Sequence, residues 1–318
     1  MLHTLISMTR QKAIFPFYHA VSDTNPIHIK HLYQVRGIHQ FEKDIHFFLK
    51  HYQPMRLDDV FNFVKDKKRI SKPGFFITFD DGLREVYDNI YPILKKYDIG
   101  AAIFLNSSFT DNKGLFFRYK ASLLVEKIIK NPAFKVSKDV VKWSMDQRIS
   151  SVEKAILSVN YQEKGRLDTL AEIIDLDFEK YLSECRPYMD SEQITELSKN
   201  GFCIGGHSKD HPLFSTLTAD EQIRQAKVST DWVHEKWPST YSLFAFPFTD
   251  YGVNNSFFDN ASYDISFGTA GLKNDSIHNH IQRIPIENYP YSAASIVIRE
   301  YFYYMLKSII GKNTIKRE

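Results

Sequence analysis

Short apolar runs bounded by polar or turn residues recur along the chain, and most are followed by a stretch with helical spacing. Seven read as strands: residues 13–18 (AIFPFY), 74–79 (GFFITF), 100–105 (GAAIFL), 201–205 (GFCIG), 241–246 (YSLFAF), 263–267 (YDISF) and 281–286 (IQRIPI). Strands alternating with amphipathic helices are the signature of an α/β protein built on a parallel sheet or barrel. Pro16 and Pro285 weaken the first and last runs, because proline has no N–H to give to a ladder, and a seam is expected between them. Residues 38–52 put Phe41, Ile45, Phe48 and Leu49 on one helical face; residues 83–97 (Val86, Ile90, Leu94) and 219–237 supply further outer helices.

Between the third and fourth runs the pattern changes. Residues 106–200 are charged and helical in spacing (LLVEKIIK, VEKAILSV, LAEIIDLDFEKYL), with no strand among them. They read as a helical insertion, roughly 114–187, within a single domain spanning 1–318 and set over the loop face of the barrel. After residue 293 the chain interleaves aromatics and bases (IREYFYYMLKSIIGKNTIKRE). A terminal helix closing the barrel accounts for this pattern, and a peripheral membrane or partner contact is the alternative.

Composition narrows the class. Hydrophobic residues at 43% and charged residues at 25% are globular values, which excludes disorder and coiled coil. A net charge of +3 without long single-sign blocks gives no nucleic-acid footprint. The longest stretch free of charged residues, 237–249, falls short of the roughly 20 needed for a membrane helix. The start, MLHTLISMTRQK, lacks a secretory leader, so a cytoplasmic location is expected. Cys185 and Cys203 form neither a disulfide framework nor a zinc knuckle by themselves.

Two clusters at strand ends could carry chemistry. In Thr78-Phe79-Asp80-Asp81-Gly82 the adjacent carboxylates point in different directions, so one can bind a metal while its neighbour stays free. Asp-Gly is also an ordinary turn signal, but the helical spacing that follows disfavours a hairpin. In Gly205-Gly206-His207-Ser208-Lys209-Asp210-His211-Pro212 the histidines four apart share a face if the segment takes a helical turn; with twelve histidines in the chain, such a pair alone carries little weight. Together one Asp and two neutral His make a three-ligand divalent site with a position open for water, as in catalytic zinc centres. The carboxylate of Asp80 or Asp81 that does not ligate is then placed to act as general base.

TFDDG followed by HSKDHP, the latter preceded by MDSEQITELSKNGFCIGG and followed by LFSTLTADEQI, resembles the polysaccharide deacetylase family, carbohydrate esterase family 4, or NodB homology domain. The resemblance covers roughly residues 13–286 and implies an irregular (β/α)7-type barrel. It implies Asp80 as catalytic base, Asp81, His207 and His211 as metal ligands, and Ser208 as a hydroxyl beside them. The metal is expected to be Zn2+, with Co2+, Ni2+ or Mn2+ as alternatives, and the substrate an N-acetylated amino sugar of a polysaccharide or glycoconjugate. The family's third motif usually opens with an arginine, where this chain has Ala245-Phe246-Pro247-Phe248; no Asp-x-x-Trp stands out, and the C-terminal Leu-x-His is missing, with only His278 and His280 near. Related deacetylases carry a Tyr-His on the first strand, which makes His19 of Phe17-Tyr18-His19 the candidate acid, against the reading of a strand-capping histidine. Asn106, Pro247, Phe248 and Asp250 are expected at the barrel mouth as substrate contacts. The departures leave a second reading open, a saccharide-binding or regulatory protein with little turnover.

Overall fold

The computed structural model describes residues 1–65, 70–145, 151–287 and 290–317. Its centre is an eight-stranded, all-parallel sheet curled into a barrel. In chain order the strands are β1 (Pro16–Tyr18), β2 (Ile77–Phe79), β3 (Ala101–Leu105), β4 (Cys203–Gly206), β5 (Leu243–Ala245), β6 (Ile265–Gly268), β7 (His280–Gln282) and β8 (Ile284–Pro285). They lie in the order β7-β6-β5-β4-β3-β2-β1-β8. Three expected runs are divided. Residues 13–18 and 74–79 each break into two short strands, and Ala13–Ile14, Gly74–Phe75 and Gln53–Pro54 pair with one another as a small separate sheet.

The third divided run moves the seam. Residues 280–285 supply both edges of the barrel, β7 against β6 and β8 against β1, with Arg283 between them. The first and last runs do pair, Ile284 opposite Pro16 and Pro285 opposite Phe17. The break falls inside the seventh run, and the seven runs become eight strands for that reason.

Period-two alternation decides what fills the barrel. Phe15, Phe76, Ala102, Phe104, Leu243, Ala245, Ile265, Phe267 and Ile281 point inward as one buried cluster, to which Val60 and Val64 of a short helix, Leu57–Lys65, belong. The opposite faces of the strands (Tyr18, Ile77, Phe79, Ile103) meet the outer helices. These include α1 (Leu2–Thr9), α2 (Ile38–His51) and α4 (Tyr91–Lys96), whereas α3, the helix Leu57–Lys65 just mentioned, packs on the inward cluster. The helix expected over 83–97 contains a π-turn, Val86–Ile90, in which Tyr91 N–H donates to Val86 O. Pro92, with no N–H of its own, follows directly, and the wider turn accommodates it.

Among the described residues five helices, α5 (Phe117–Lys130), α6 (Lys138–Met145), α7 (Val152–Ser158), α8 (Gly165–Ile173) and α9 (Phe178–Cys185), separate β3 from α10 (Ser191–Lys199). They share a buried cluster of their own, Leu124, Ile128, Ile156, Leu167 and Leu170 among it, which reaches the barrel through Ala20, Ile29 and Leu83. The remaining helices are α11 (Ala219–Lys236), α12 (Asn255–Asn260) and α13 (Ala293–Ile309). The terminal helix stops at Ile309; beyond it Thr314–Ile315 pairs with Asn274–Asp275. Among the described residues no helix is long and apolar enough to cross a membrane.

Candidate functional site

The loops after β2 and β4 meet above the barrel. Asp81 Oδ1 lies 3.5 Å from His207 Nε2 and 3.2 Å from His211 Nε2, and all three side chains are buried. The fit to a divalent cation is good. Asp81 Oδ1 is buried without a hydrogen-bond partner, an expensive arrangement unless a cation meets it. His207 Nδ1 bonds Ala245 O at 2.8 Å, which fixes the tautomer and leaves the Nε2 lone pair facing Asp81. Burial holds the His207 imidazole neutral, with a pKa lowered to about 4; burial opposes ionisation of Asp81, but His211, His19 and His207 together outweigh it and hold the carboxyl well below the usual range.

Backbone strain is concentrated here. Asp81, Ser208, His211 and Phe248 all have positive φ, 68°, 67°, 61° and 58°, a region costly for residues with a Cβ. Gly82 continues the strained turn at φ 63°, and a Cβ there would lie 2.6 Å from the Leu105 side chain, so the turn after Asp81 needs glycine for conformation and for space.

Asp80 points into the barrel, where Arg283 grips both its oxygens, Nη1 to Oδ1 at 2.7 Å and Nη2 to Oδ2 at 2.8 Å. Arg283 also donates to Thr78 Oγ1 and Gly268 O and lies over the Phe17 ring at 4.4 Å. Burial alone would raise the Asp80 pKa, but Arg283 and His207 hold it below the usual value, so the carboxylate is ionised. The arginine absent before Pro247 is thus provided from the seventh run. Its sequence signal was an arginine at an inward position of IQRIPI.

His19, just past β1, is fixed by Glu287. One Glu287 oxygen accepts the His19 and Ala20 backbone N–H groups at 2.6 and 3.0 Å, and the other meets His19 Nδ1 at 2.8 Å. Burial works against a charged imidazole, but Glu287, helped by Asp81 and Asp80, raises the His19 pKa to about 9. With Nδ1 engaged, Nε2 is the ring nitrogen left to exchange a proton.

The insertion braces this centre from two sides. Tyr119 of α5 donates to Asp81 Oδ2 at 2.8 Å, which leaves Oδ1 toward the histidines. Tyr161 and Lys164 bond Asp210, between the two histidines, at 2.8 and 2.6 Å, and Gln225 holds the same carboxylate from α11. Sequence reasoning missed Arg283, Glu287 and Tyr119.

The expected substrate contacts divide. Phe248, 45% exposed, stands edge-on to His211 at 4.6 Å between ring centroids, with Phe116 beside both rings, 4.3 Å from His211 and 6.0 Å from Phe248, while Pro247 is buried. Ser208 is buried and accepts the His211 N–H at 3.0 Å; Asn106 is buried with its amide donating to His207 O. Both shape the ligand loop. Asp250 is placed away from the mouth, on the outer side of β6 and β7: it bonds His280 at 3.0 Å, Gln282 at 2.7 Å, and Arg317. Asp250, Asp275 and His280 could by spacing hold a cation, but Arg317 already donates to both carboxylates and supplies the positive charge. His280 is closed in that network, its Nδ1 on Ser266 Oγ, and His278 is exposed.

Residues 67–262 match the family described as Polysaccharide deacetylase. The poly-beta-1,6-N-acetyl-D-glucosamine N-deacetylase of Staphylococcus aureus is 26% identical over 219 residues, covering 62% of this chain and 72% of that protein. Among solved structures, Streptococcus pyogenes deacetylase PplD in complex with acetate superposes with TM-score 0.58 at 16% identity, over 90% of this chain and 97% of that one. IcaB from Ammonifex degensii gives TM-score 0.54 at 12% identity, over the same 90% and 97%. These two likenesses establish the fold.

Proposed function

The chain belongs to the polysaccharide deacetylase family, and from that premise we propose that it is a metal-dependent hydrolase that removes N-acetyl groups from amino sugars of a polysaccharide or glycoconjugate. The observation that carries the reading is the unpartnered Asp81 Oδ1 between two imidazole nitrogens, beside an Asp80 kept ionised by Arg283. Asp81, His207 and His211 would hold the ion; one carboxylate oxygen and two imidazoles suit Zn2+, and Co2+, Ni2+ or Mn2+ are compatible. When bound, such an ion polarises the acetyl carbonyl and acidifies water.

The chain's own residues supply the proton traffic. Asp80, ionised, takes a proton from water as its oxygen bonds to the acetyl carbon. His19 carries a proton on Nε2 and delivers it to the sugar nitrogen as the C–N bond breaks, giving acetate and a free amine. Glu287 holds His19 in its protonated form for this step, and Arg283 keeps Asp80 in the complementary one. Phe248 offers an exposed ring at the mouth for the face of a sugar. An N-acetylglucosamine oligomer is the first substrate to test, because the S. aureus relative is named for a β-1,6-linked polymer of that sugar.

The test is metal content followed by acetate release. The purified chain is expected to carry about one divalent ion and to release acetate from the oligomer. Asp80→Asn should keep the metal and lose activity by about 100-fold or more, and His207→Ala should lose the metal. Full turnover in Asp80→Asn, or full occupancy in His207→Ala, refutes these assignments. Arg283→Met should lower activity and move the acidic limb of the pH profile upward, since burial then raises the Asp80 pKa unopposed.

A further inference from the structure

The two ends of the chain meet on the outside of the barrel. α1 packs against α13, Gln11 Nε2 donates to Tyr304 OH at 2.8 Å, and Tyr301 OH donates to Gln11 O at 2.7 Å. Leu2, Leu5 and Ile6 of α1 and Ile296, Val297, Tyr301 and Tyr304 of α13 turn inward and are buried. The outward face of α1 is mainly polar (His3, Thr4, Ser7), but that of the C-terminal half of α13 is not, as a solvated helix face would be. Leu306, Ile309 and Ile310 are 63%, 80% and 60% exposed, with Phe302, Tyr303 and, on α1, Met8 also exposed. Scattered exposed apolar side chains are ordinary, but a run at i, i+3, i+4 spacing on one helix is a patch.

Charge singles out what covers it. Residues 1–22 and 301–316 contain five bases (Arg10, Lys12, Lys307, Lys312, Lys316) and no acid, so they sum to +5; Arg317, which follows, is buried against Asp250 and Asp275 and adds nothing to the surface. The whole chain carries +3, and the remainder therefore sums to −2. Lys307 and Lys273 flank the helix over the ring of Tyr303, at 5.0 and 5.8 Å. Lys273 also lines a groove of about 1190 Å³ together with Arg10, Lys12, Asn274 and His278. Asp275 also lines the groove, but Arg317 already neutralises it, and exposed aliphatic side chains beside this net-basic rim match an anionic lipid surface, where the apolar groups enter the acyl boundary and the bases meet headgroup phosphates. Another protein or a second copy of this chain would need its own acidic rim facing these bases.

We infer that the outward face of α13, with the end of α1 and the groove beside it, seats the protein on an anionic membrane surface. α13 begins after β8, at the end of the barrel where the candidate site lies, and runs back toward the opposite end. Its most exposed residues are in its last turn and just beyond. Seated there, the protein keeps the mouth free of the bilayer.

The experiment is flotation of the full chain with phosphatidylcholine vesicles, with and without phosphatidylglycerol. The protein should float with the phosphatidylglycerol vesicles, and less at high salt, because screening weakens the attraction between bases and headgroups. Leu306→Glu combined with Ile309→Glu alters only exposed positions, so the melting temperature should hold while the partition constant drops about tenfold or more. Lys307→Gln combined with Lys312→Gln should remove much of the dependence on phosphatidylglycerol. Failure to float overturns the inference, as does unchanged partition of the glutamate variant. A solution dimer that the same glutamates dissociate also overturns it, since a second copy would then be the occupant.

Discussion

Glu287 lies 268 residues from His19, yet it makes that imidazole a cation at neutral pH. Its replacement by glutamine removes the largest charge favouring protonation and leaves burial to lower the pKa. Asp80, Asp81 and the Tyr33 ring also face His19. An ion at Asp81 offsets part of their attraction, so the expectation is a direction: in Glu287→Gln the descending, basic limb of the pH–rate profile moves to lower pH. An unmoved limb would remove His19 from the donor role. The raised pKa also contributes stability, present below about 6.5, the value in the unfolded chain, and lost as pH rises through about 9. Tyr119→Phe removes only the hydroxyl that holds Asp81 Oδ2. Metal affinity, read by competition with a chelator, should fall about tenfold with the fold retained, and unchanged affinity would make Tyr119 a packing residue. The clustering of Asp81, His207 and His211 beside Asp80 was legible because each pair sits in a contiguous strand-end motif. Arg283, Glu287 and Tyr119 were not, since their partners are 203, 268 and 38 residues away and nothing local marks the pairing.

At the level of elements, the ligand loops combine strain with bracing. Leu83 bridges to Tyr188, Arg84 N–H donates to Pro187 O, and Met189 N–H donates to Gly82 O, so the segment leaving the insertion is stitched to the turn that presents Asp81. Gly82→Ala meets both an unfavourable φ and the Leu105 side chain. It should cost about 1–3 kcal/mol in denaturant unfolding and weaken metal binding as the turn shifts. A neutral Gly82→Ala would show that the turn has room to relax. Strand and helix positions were readable from apolar periodicity, and the outer helices begin and end close to where that spacing puts them. The divisions of residues 13–18 and 281–286 were less readable, because a run can keep its inside–outside alternation while changing hydrogen-bonding neighbour. The extra strand arises there.

For the molecule as a whole, the last described residues act as a latch. Arg317 bonds Asp250 and Asp275, binding the C-terminal strand to the outside of β6 and β7. Arg317→Met leaves two buried carboxylates short of a cation, and a loss of about 3 kcal/mol is expected in unfolding at neutral pH. The Asp250 pKa is held well below the usual range despite burial, with His280, Gln282 and Arg317 responsible. Its contribution is present above about 3.8 and fades as pH falls toward the folded value, so the gap between the two proteins should narrow on acidification. An Arg317→Met protein as stable as its parent would show that His280 and Gln282 suffice.

The seam between β7 and β8 imposes a timetable. The aspartate and both histidines of the triad precede residue 212, whereas the arginine that steadies Asp80 arrives only with the segment that shuts the barrel. A polypeptide emerging from the ribosome thus presents Asp80, Asp81 and both histidines before the guanidinium that keeps Asp80 ionised once it is buried. Under this plan the centre is the last part of the molecule to be completed, in the same motion as closure.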